Sequence, residues 1–341
     1  MQNTQAYLQE KVFLPVCNRA PNAFDYRVQA DHSSGSRLPL SNSRELYMIA
    51  KTLKAGLAAA AMLAVTSPAV MADTLADIIS RGKMVVGSKA DYAPWGMRDA
   101  QGNIVGMEVD MAMDLAKRIG EKAGKTIEVE IVPVVASNRM QFLEQGKIDI
   151  MIATMSDKLA RREVVGIVQP NYYSSGVAIF AHKDSGIKDW PDIEGKNICG
   201  TQGAWYNKEW GEKNKANMIV FKGVPEIEAA LLDGRCVGWL YDDSAFIPRK
   251  VNDPEKWADY SISTPVVADA PWGAAVRKEE VNEPIGKALS QAIIDWHKSG
   301  KIVEWEKKWG IPSTKWVAMM QEKCNAGDKV CDDVLDEGEV K

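Results

Sequence analysis

The sequence predicts an α/β protein, on three observations. Short β-branched apolar runs alternate with stretches whose apolar residues recur at helical spacing. The first half reads strand, helix, strand, helix, strand, the order of a parallel wound sheet. A second series of the same kind begins at Val177, and 341 residues suffice for two domains of ordinary size.

The N-terminus is set apart before elements are assigned. Met48 to Ala72 carries Lys51 and Lys54, runs apolar from Ala55 to Val65, and ends Val70, Met71, Ala72. A basic start, an apolar stretch too short to span a bilayer and a small-residue cleavage site predict a signal peptide over 48–72, cleaved near Ala72. Residues 1–47 lie upstream of it, polar and without period. They are expected to be a spurious extension and are excluded from fold reasoning. After Ala72 no run approaches eighteen apolar residues, which argues against a membrane anchor.

From Asp73 the elements follow in order. Leu75 to Ser80 is a short amphipathic helix stopped near Gly82, and Met84 to Gly87 is a strand. Pro94 interrupts regular structure, and Asp99 to Asn103 reads as a hairpin turn. Val109, Ala112, Met113, Ala116 and Ile119 mark a helix from Met107, with Gly120 at its stop. In Thr126 to Val134, Ile127, Val129 and Ile131 alternate with polar residues as in a strand. A capped helix over about Asn138 to Gln145 follows, closed by Gly146.

The stretch Lys147 to Tyr173 is the centre of the reading. Ile148 to Ala153 is short and β-branched enough to be a buried strand. Thr154, Met155, Ser156 and Asp157 form a polar turn able to cap a helix starting near Lys158. Arg161 and Arg162 come one turn later. A strand end, hydroxyls, a helix start and a guanidinium within ten residues suit a carboxylate, because backbone N–H groups and a planar cationic fork converge there.

In the second series, strands are expected at Val177 to His182, Asn197 to Gly200, Met218 to Phe221 and Val237 to Tyr241. Helices are expected near Tyr206 to Lys213 and Glu226 to Asp233. Pro265 to Arg277 reads as an extended return path, and two helices, around Asn282 to Ser299 and Lys301 to Lys308, precede a tail.

Charge and cysteines narrow the function. The seven basic and four acidic side chains of residues 1–72 leave 35 Lys/Arg and 42 Asp/Glu, a net charge near −7, which argues against a nucleic-acid partner. Four cysteines remain, Cys199, Cys236, Cys324 and Cys331, an even number in an exported chain. Three pairings are open. Cys324 and Cys331 are close enough to clip a short C-terminal loop, which leaves Cys199 with Cys236. A structural zinc site lacks support, since neither histidines nor a CxxC spacing accompany them. No cofactor or metal is expected.

Six segments in order, DYAPWGMRDAQGNIVGMEVD, ASNRMQFLEQGKIDIMIATMS, RREVVGIVQPNYYSSG, GRCVGWLYDD, PWGAAVRK and GKIVEWEKKWG, resemble the solute-binding proteins of polar amino-acid ABC transporters. The resemblance runs from about Leu75 to Trp316. It implies the type II periplasmic binding fold, two α/β lobes joined by two crossover strands. Lobe 1 would hold 73–176 and 270–341, and lobe 2 would hold 177–269. The family's ligand lies between lobes that close by hinge motion, and its partner is a membrane ABC permease. A periplasmic monomer is the corresponding expectation.

Carried over residue by residue, Arg161 stands where the family's carboxylate-binding arginine stands. Thr154 and Ser156 fit the same carboxylate as donors, and Asp242 matches the residue that takes the ligand ammonium. Asp243 beside it fits a turn or cap. Lys89 and Arg139 match cations of acidic-ligand relatives, so a second carboxylate on the ligand is expected. Tyr92 would wall the pocket, with Trp95 more suited to core. Two departures stand out. Lys158 replaces a common threonine, and Gly203, Ala204, Trp205 replace a Gly-Thr-Thr turn at a helix start. Cys199 and Cys236 resemble a disulfide of some general amino-acid binders.

The expected function is therefore binding without catalysis, of glutamate, aspartate or another amino diacid, for import. A cyclohexadienyl or arogenate dehydratase-like enzyme of the same fold is the alternative. It needs an acid poised to protonate a leaving hydroxyl, and neither a glutamate nor His32, His182 or His297 stands in a visible constellation for that. A receptor sensor would require a separate membrane partner.

Overall fold

The computed structural model describes residues 73–332. The expected signal peptide and the extension before it lie outside the described residues. Helix α1, Thr74–Arg81, starts behind Asp73, whose carboxylate accepts the Ala76 N–H, and ends on Gly82 in the left-handed region. It feeds β1, Lys83–Ser88. A small antiparallel ribbon follows, β2 Asp91–Tyr92, β3 Gly96–Arg98 and β4 Ile104–Val105. Its turn is held by Asp99, which accepts the backbone N–H groups of Gln101 and Asn103.

Strand β1 pairs in parallel with both β5, Glu128–Pro133, and β6, Ile150–Met151, with α2, Met107–Ala123, and α3, Arg139–Glu144, as the crossovers. The wound order is as the sequence predicts. The sheet is nevertheless mixed, because β14, Ala275–Arg277, returns antiparallel between β6 and β7, Val165–Ile167. Helix α2 runs past Gly120 and stops at Gly124, φ 65°. Gly120 serves another purpose, since a Cβ there would lie 2.4 Å from the Lys125 carbonyl. The chain doubles back too closely for a side chain.

The polar turn after β6 also differs from expectation. Regular pairing covers only Ile150–Met151, and α4, Leu159–Arg162, is a single turn with no side-chain cap. Asp157 is committed elsewhere: its carboxylate takes Arg162 at 2.7 and 2.6 Å and Gln169 at 2.9 Å. A bidentate charged pair outweighs a cap on so short a helix.

The second sheet has the order β10-β9-β11-β8-β12, with β13 also on β8. Its strands are β8 Tyr173–His182, β9 Asn197–Thr201, β10 Asn217–Phe221, β11 Gly238–Asp242, β12 Tyr260–Ile262 and β13 Val267–Trp272. Helix α5, Val224–Leu232, lies between β10 and β11. Between β9 and β10 the expected helix over 206–213 is a six-residue π-helical turn, Asn207–Glu212. Strands β8 and β13 run antiparallel, Tyr173 opposite Trp272, and carry the chain between the two sheets. At that crossing Trp95 packs edge-on to Tyr173 at 4.3 Å and Trp272 at 4.9 Å, all fully buried, so Trp95 is core.

Helices α6 Phe246–Asn252, α7 Pro284–Ser299, α8 Lys301–Lys308, α9 Lys315–Ala326 and α10 Lys329–Asp332 complete the chain. Cys199 is bonded to Cys236, with Cα atoms 5.5 Å apart, and Cys324 to Cys331. The first bond ties β9 to the entry of β11. The second joins α9 to α10 and closes the short turn between them, as expected. Replacing Cys199 and Cys236 together by alanine should cost about 2–4 kcal/mol of unfolding free energy. Urea melts measure it, and an unchanged midpoint would show that the bond constrains nothing.

Candidate ligand-binding site

The strand ends of the two sheets face one another, as ligand sites of open α/β sheets do. Lys89 follows β1, Arg139 begins α3, Thr154 to Arg161 follow β6, Thr201 ends β9 with Gln202 to Trp205 after it, and Asp242 ends β11. Between them lies a narrow cavity lined by Lys89, Ala136, Arg139, Thr154, Ser156, Arg161, Thr201, Ala204, Trp205, Tyr206, Tyr241 and Asp242. Of the residues read from the sequence, Tyr92, Lys158 and Gly203 are not on its wall, although each touches a residue that is.

Arg161 is 8% exposed. Its Nη1 donates to the Ser156 carbonyl at 2.8 Å, and its Nη2 donates across the cleft to the Gly203 carbonyl at 3.3 Å. Two of five guanidinium donors are therefore used and the fork faces the cavity. Burial, reinforced by Arg139, lowers its pKa to about 9, so it stays charged at neutral pH. Arg162, by contrast, is held by Asp157.

Thr154 adopts φ 46°, uncommon for a residue with a branched Cβ. Its N–H is held by Glu108 Oε1 at 2.6 Å and by the Tyr172 hydroxyl at 3.0 Å, and Tyr172 also donates to Glu108. The Thr154 N–H thus turns into the protein, away from a ligand. Glu108 is fully buried, and burial raises its carboxyl to about 7 against the pull of Tyr172, Thr154, Arg139 and Lys89. Nothing in MEVDMAMDLA marks this glutamate, since acidic residues in a first helical turn are ordinary.

Asp242 faces Arg161 from the other sheet. Burial lifts its carboxyl to about 7, opposed by the Tyr92 hydroxyl, which donates to its Oδ2 at 3.2 Å. Tyr92 is fully buried and lies behind Asp242 instead of walling the cavity. Asp243 begins a 3-10 turn and caps nothing; its carboxylate instead holds β8, accepting from the Gly176 N–H at 2.8 Å and the Ser175 hydroxyl at 2.7 Å.

Lys89 and Arg139 both line the cavity. The Lys89 ammonium, 1% exposed, lies 2.8 Å from Asp91 Oδ1. Asp91 Oδ2 in turn accepts the Val224 N–H at the start of α5, another contact across the cleft. Arg139 donates one bond to the Ala153 carbonyl and, among the described residues, has no carboxylate partner within ion-pair distance. Burial lowers the pKa of both cations.

Gly203, φ 85°, packs on Ser137 so closely that a Cβ would lie 3.0 Å from its backbone. The Ala204 N–H is used by the Thr201 carbonyl, and the π-helical turn begins only at Asn207, so the expected helix N-terminus does not face the cavity at these residues. Trp205 reaches over instead, its Nε1–H donating to Ser156 Oγ at 3.0 Å. Tyr206 and Tyr241 were not singled out from the sequence, although each adjoins a residue that was. Among the described residues no group of histidine, cysteine or carboxylate side chains could hold a metal.

Residues 84–312 match the profile of the bacterial extracellular solute-binding proteins, family 3. The glutamate/aspartate import solute-binding protein of Salmonella typhimurium is 26% identical over 245 residues, covering 69% of this chain and 79% of that protein. The L-cystine-binding protein TcyJ of Escherichia coli is 28% identical over 271 residues, 76% of this chain and 96% of its own. Among solved structures, holo ArgBP from T. maritima superposes with a TM-score of 0.59 at 28% identity, covering 69% of this chain and 98% of that one. With the profile spanning most of the described residues and the two-sheet fold in place, the chain belongs to the bacterial extracellular solute-binding proteins, family 3.

Proposed function

We propose that this chain is the periplasmic binding component of an ABC importer for amino acids, working with a membrane permease, and that its ligand is an acidic amino acid. The observation that carries the reading is the charge balance of the cavity. Its wall holds three cations, Arg161, Arg139 and Lys89, and one carboxylate, Asp242. Asp91 balances Lys89. An α-carboxylate would balance Arg161 with Ser156 as a further donor, and an α-ammonium would balance Asp242. Arg139 is left, and a carboxylate on the ligand's side chain would satisfy it. Glutamate, aspartate or another amino diacid meets all three demands. The name of the Salmonella relative agrees with this, whereas the L-cystine of the Escherichia coli relative carries a second ammonium beside its second carboxylate.

A thermal-shift panel tests it, because a ligand that binds only the folded state raises the melting temperature. Glutamate, aspartate or a similar diacid should stabilise the protein, and Lys89→Ala should weaken that shift. Arg139→Gln should reduce the preference for a diacid over its amide by roughly 10- to 100-fold in affinity. Stabilisation by neutral or basic amino acids alone would sink the acidic assignment.

One observation favours a second reading, a dehydratase-like enzyme. A buried carboxyl near 7 on the cavity wall, Asp242, is what a general acid requires, and the sequence alone did not reveal it. An arriving ammonium would instead ionise it, which is why binding without catalysis is preferred. Turnover of prephenate or arogenate would reverse that preference.

A further inference from the structure

We propose that Lys158 and Trp205 form a clasp across the cleft that orients the Ser156 hydroxyl as a donor into the cavity and slows ligand release. The inference rests on the amino-acid reading above, which places a carboxylate beside Ser156 and Arg161. Both are positions where the chain departs from the pattern it resembles, and they meet in space. The Lys158 ammonium lies 3.5 Å from the centroid of the Trp205 ring, and the same indole donates to Ser156 Oγ at 3.0 Å. Lys158 and Ser156 belong to the segment after β6, and Trp205 to the segment after β9, so both contacts exist only when the two sheets face closely.

The chemistry of the indole makes the pairing directional. Its N–H is a donor only, so the Ser156 oxygen must accept, and the hydroxyl's own proton points elsewhere. Ser156 is 4% exposed and lines the cavity beside Arg161. Its proton is then available to a carboxylate held by that arginine. Lys158 adds attraction between its charge and the ring face, strengthened because both side chains are half-buried. Glu209, on the π-helical turn next to Trp205, supports the ammonium electrostatically, while Arg161 opposes it. Lys158 caps nothing on α4, so the clasp accounts for a side chain the local fold does not use.

A double-mutant cycle with Lys158→Met and Trp205→Leu, which removes the ring as well as its N–H, tests the clasp by stopped-flow release of the amino acid that wild type binds best. Each single change should speed release roughly 3- to 30-fold with little change in association rate. The double variant should fall short of the product of the two factors, and Trp205→Phe, which keeps a ring and removes the N–H, should lose most of its effect in a Ser156→Ala background. Factors that multiply, or unchanged release in both single variants, overturn the clasp. If wild type binds no amino acid, the functional reading fails and small-angle scattering of the protein alone decides the clasp. A larger radius of gyration in the double variant than in wild type supports it, and equal radii overturn it.

Discussion

Arg161→Ala weakens amino-acid binding by at least ~100-fold, the loss expected when one partner of a buried, hydrogen-bonded charge pair is removed. The size follows from where the guanidinium sits. It is buried at the strand ends, anchored by the Ser156 and Gly203 carbonyls, with its remaining donors toward the cavity. A carboxylate there loses its bidentate partner and is left desolvated. Arg161→Lys should fall between wild type and alanine, because the charge is kept and the planar fork is lost. Arg162→Ala is the control, since that side chain is spent on Asp157, which Gln169 also holds, and should change affinity little. Calorimetric titration reads all three. An Arg161→Ala protein that binds like wild type would remove the anchor from the site.

Asp242→Asn weakens binding by about 2–5 kcal/mol and abolishes a pH dependence that wild type shows. With its carboxyl near 7, Asp242 is largely protonated at pH 6, and an ammonium ligand requires it ionised. Wild-type affinity should therefore fall as pH drops below 7, by at most about tenfold per unit, with protons released on binding. Stability has the opposite sense. A carboxyl whose folded pKa lies above its unfolded value of 3.8 contributes stability that is full below that value and lost as pH rises through about 7. Asparagine carries no such charge, so the Asn variant without ligand should melt higher than wild type at pH 8 while binding worse. Glu108 and Glu306, both raised to about 7 by burial, keep part of the downward slope in either protein. A variant that is less stable at pH 8 would mean that Asp242 is ionised and well paired before the ligand arrives.

Much of the fold was legible because its signals are local. Period-2 and helical spacing located β1, α2 and β5, and the left-handed glycines at 82 and 124 mark real helix ends. Gly120 misled for a physical reason, since a close backbone crossing demands the same residue as a helix stop. The mixed sheet was not legible, because β14 arrives from more than a hundred residues away and its direction is a property of the return path. Capping at α4 was misread because Asp157 had a stronger partner in Arg162.

The site shows the same division. Strand-end residues could be gathered from motif frame alone, including Arg161 over Arg162. What the sequence hid is pairing between segments far apart. Asp91 beside Lys89 changes an available cation into a balanced one and shifts the weight of the acidic-ligand argument to Arg139. Glu108 under Thr154, Tyr92 behind Asp242 and Trp205 on Ser156 are all long-range contacts with no local signature.

The central claim is that an acidic amino acid lies across the cleft between Arg161 and Asp242. A crystal structure of the protein with the amino diacid that stabilises it most tests this directly. The expected result is the α-carboxylate on Arg161 and the Ser156 hydroxyl, the ammonium on Asp242, and the side-chain carboxylate within hydrogen-bond distance of Arg139. A ligand bound outside this cavity, or one whose ammonium avoids Asp242 while its second carboxylate avoids Arg139, would contradict it.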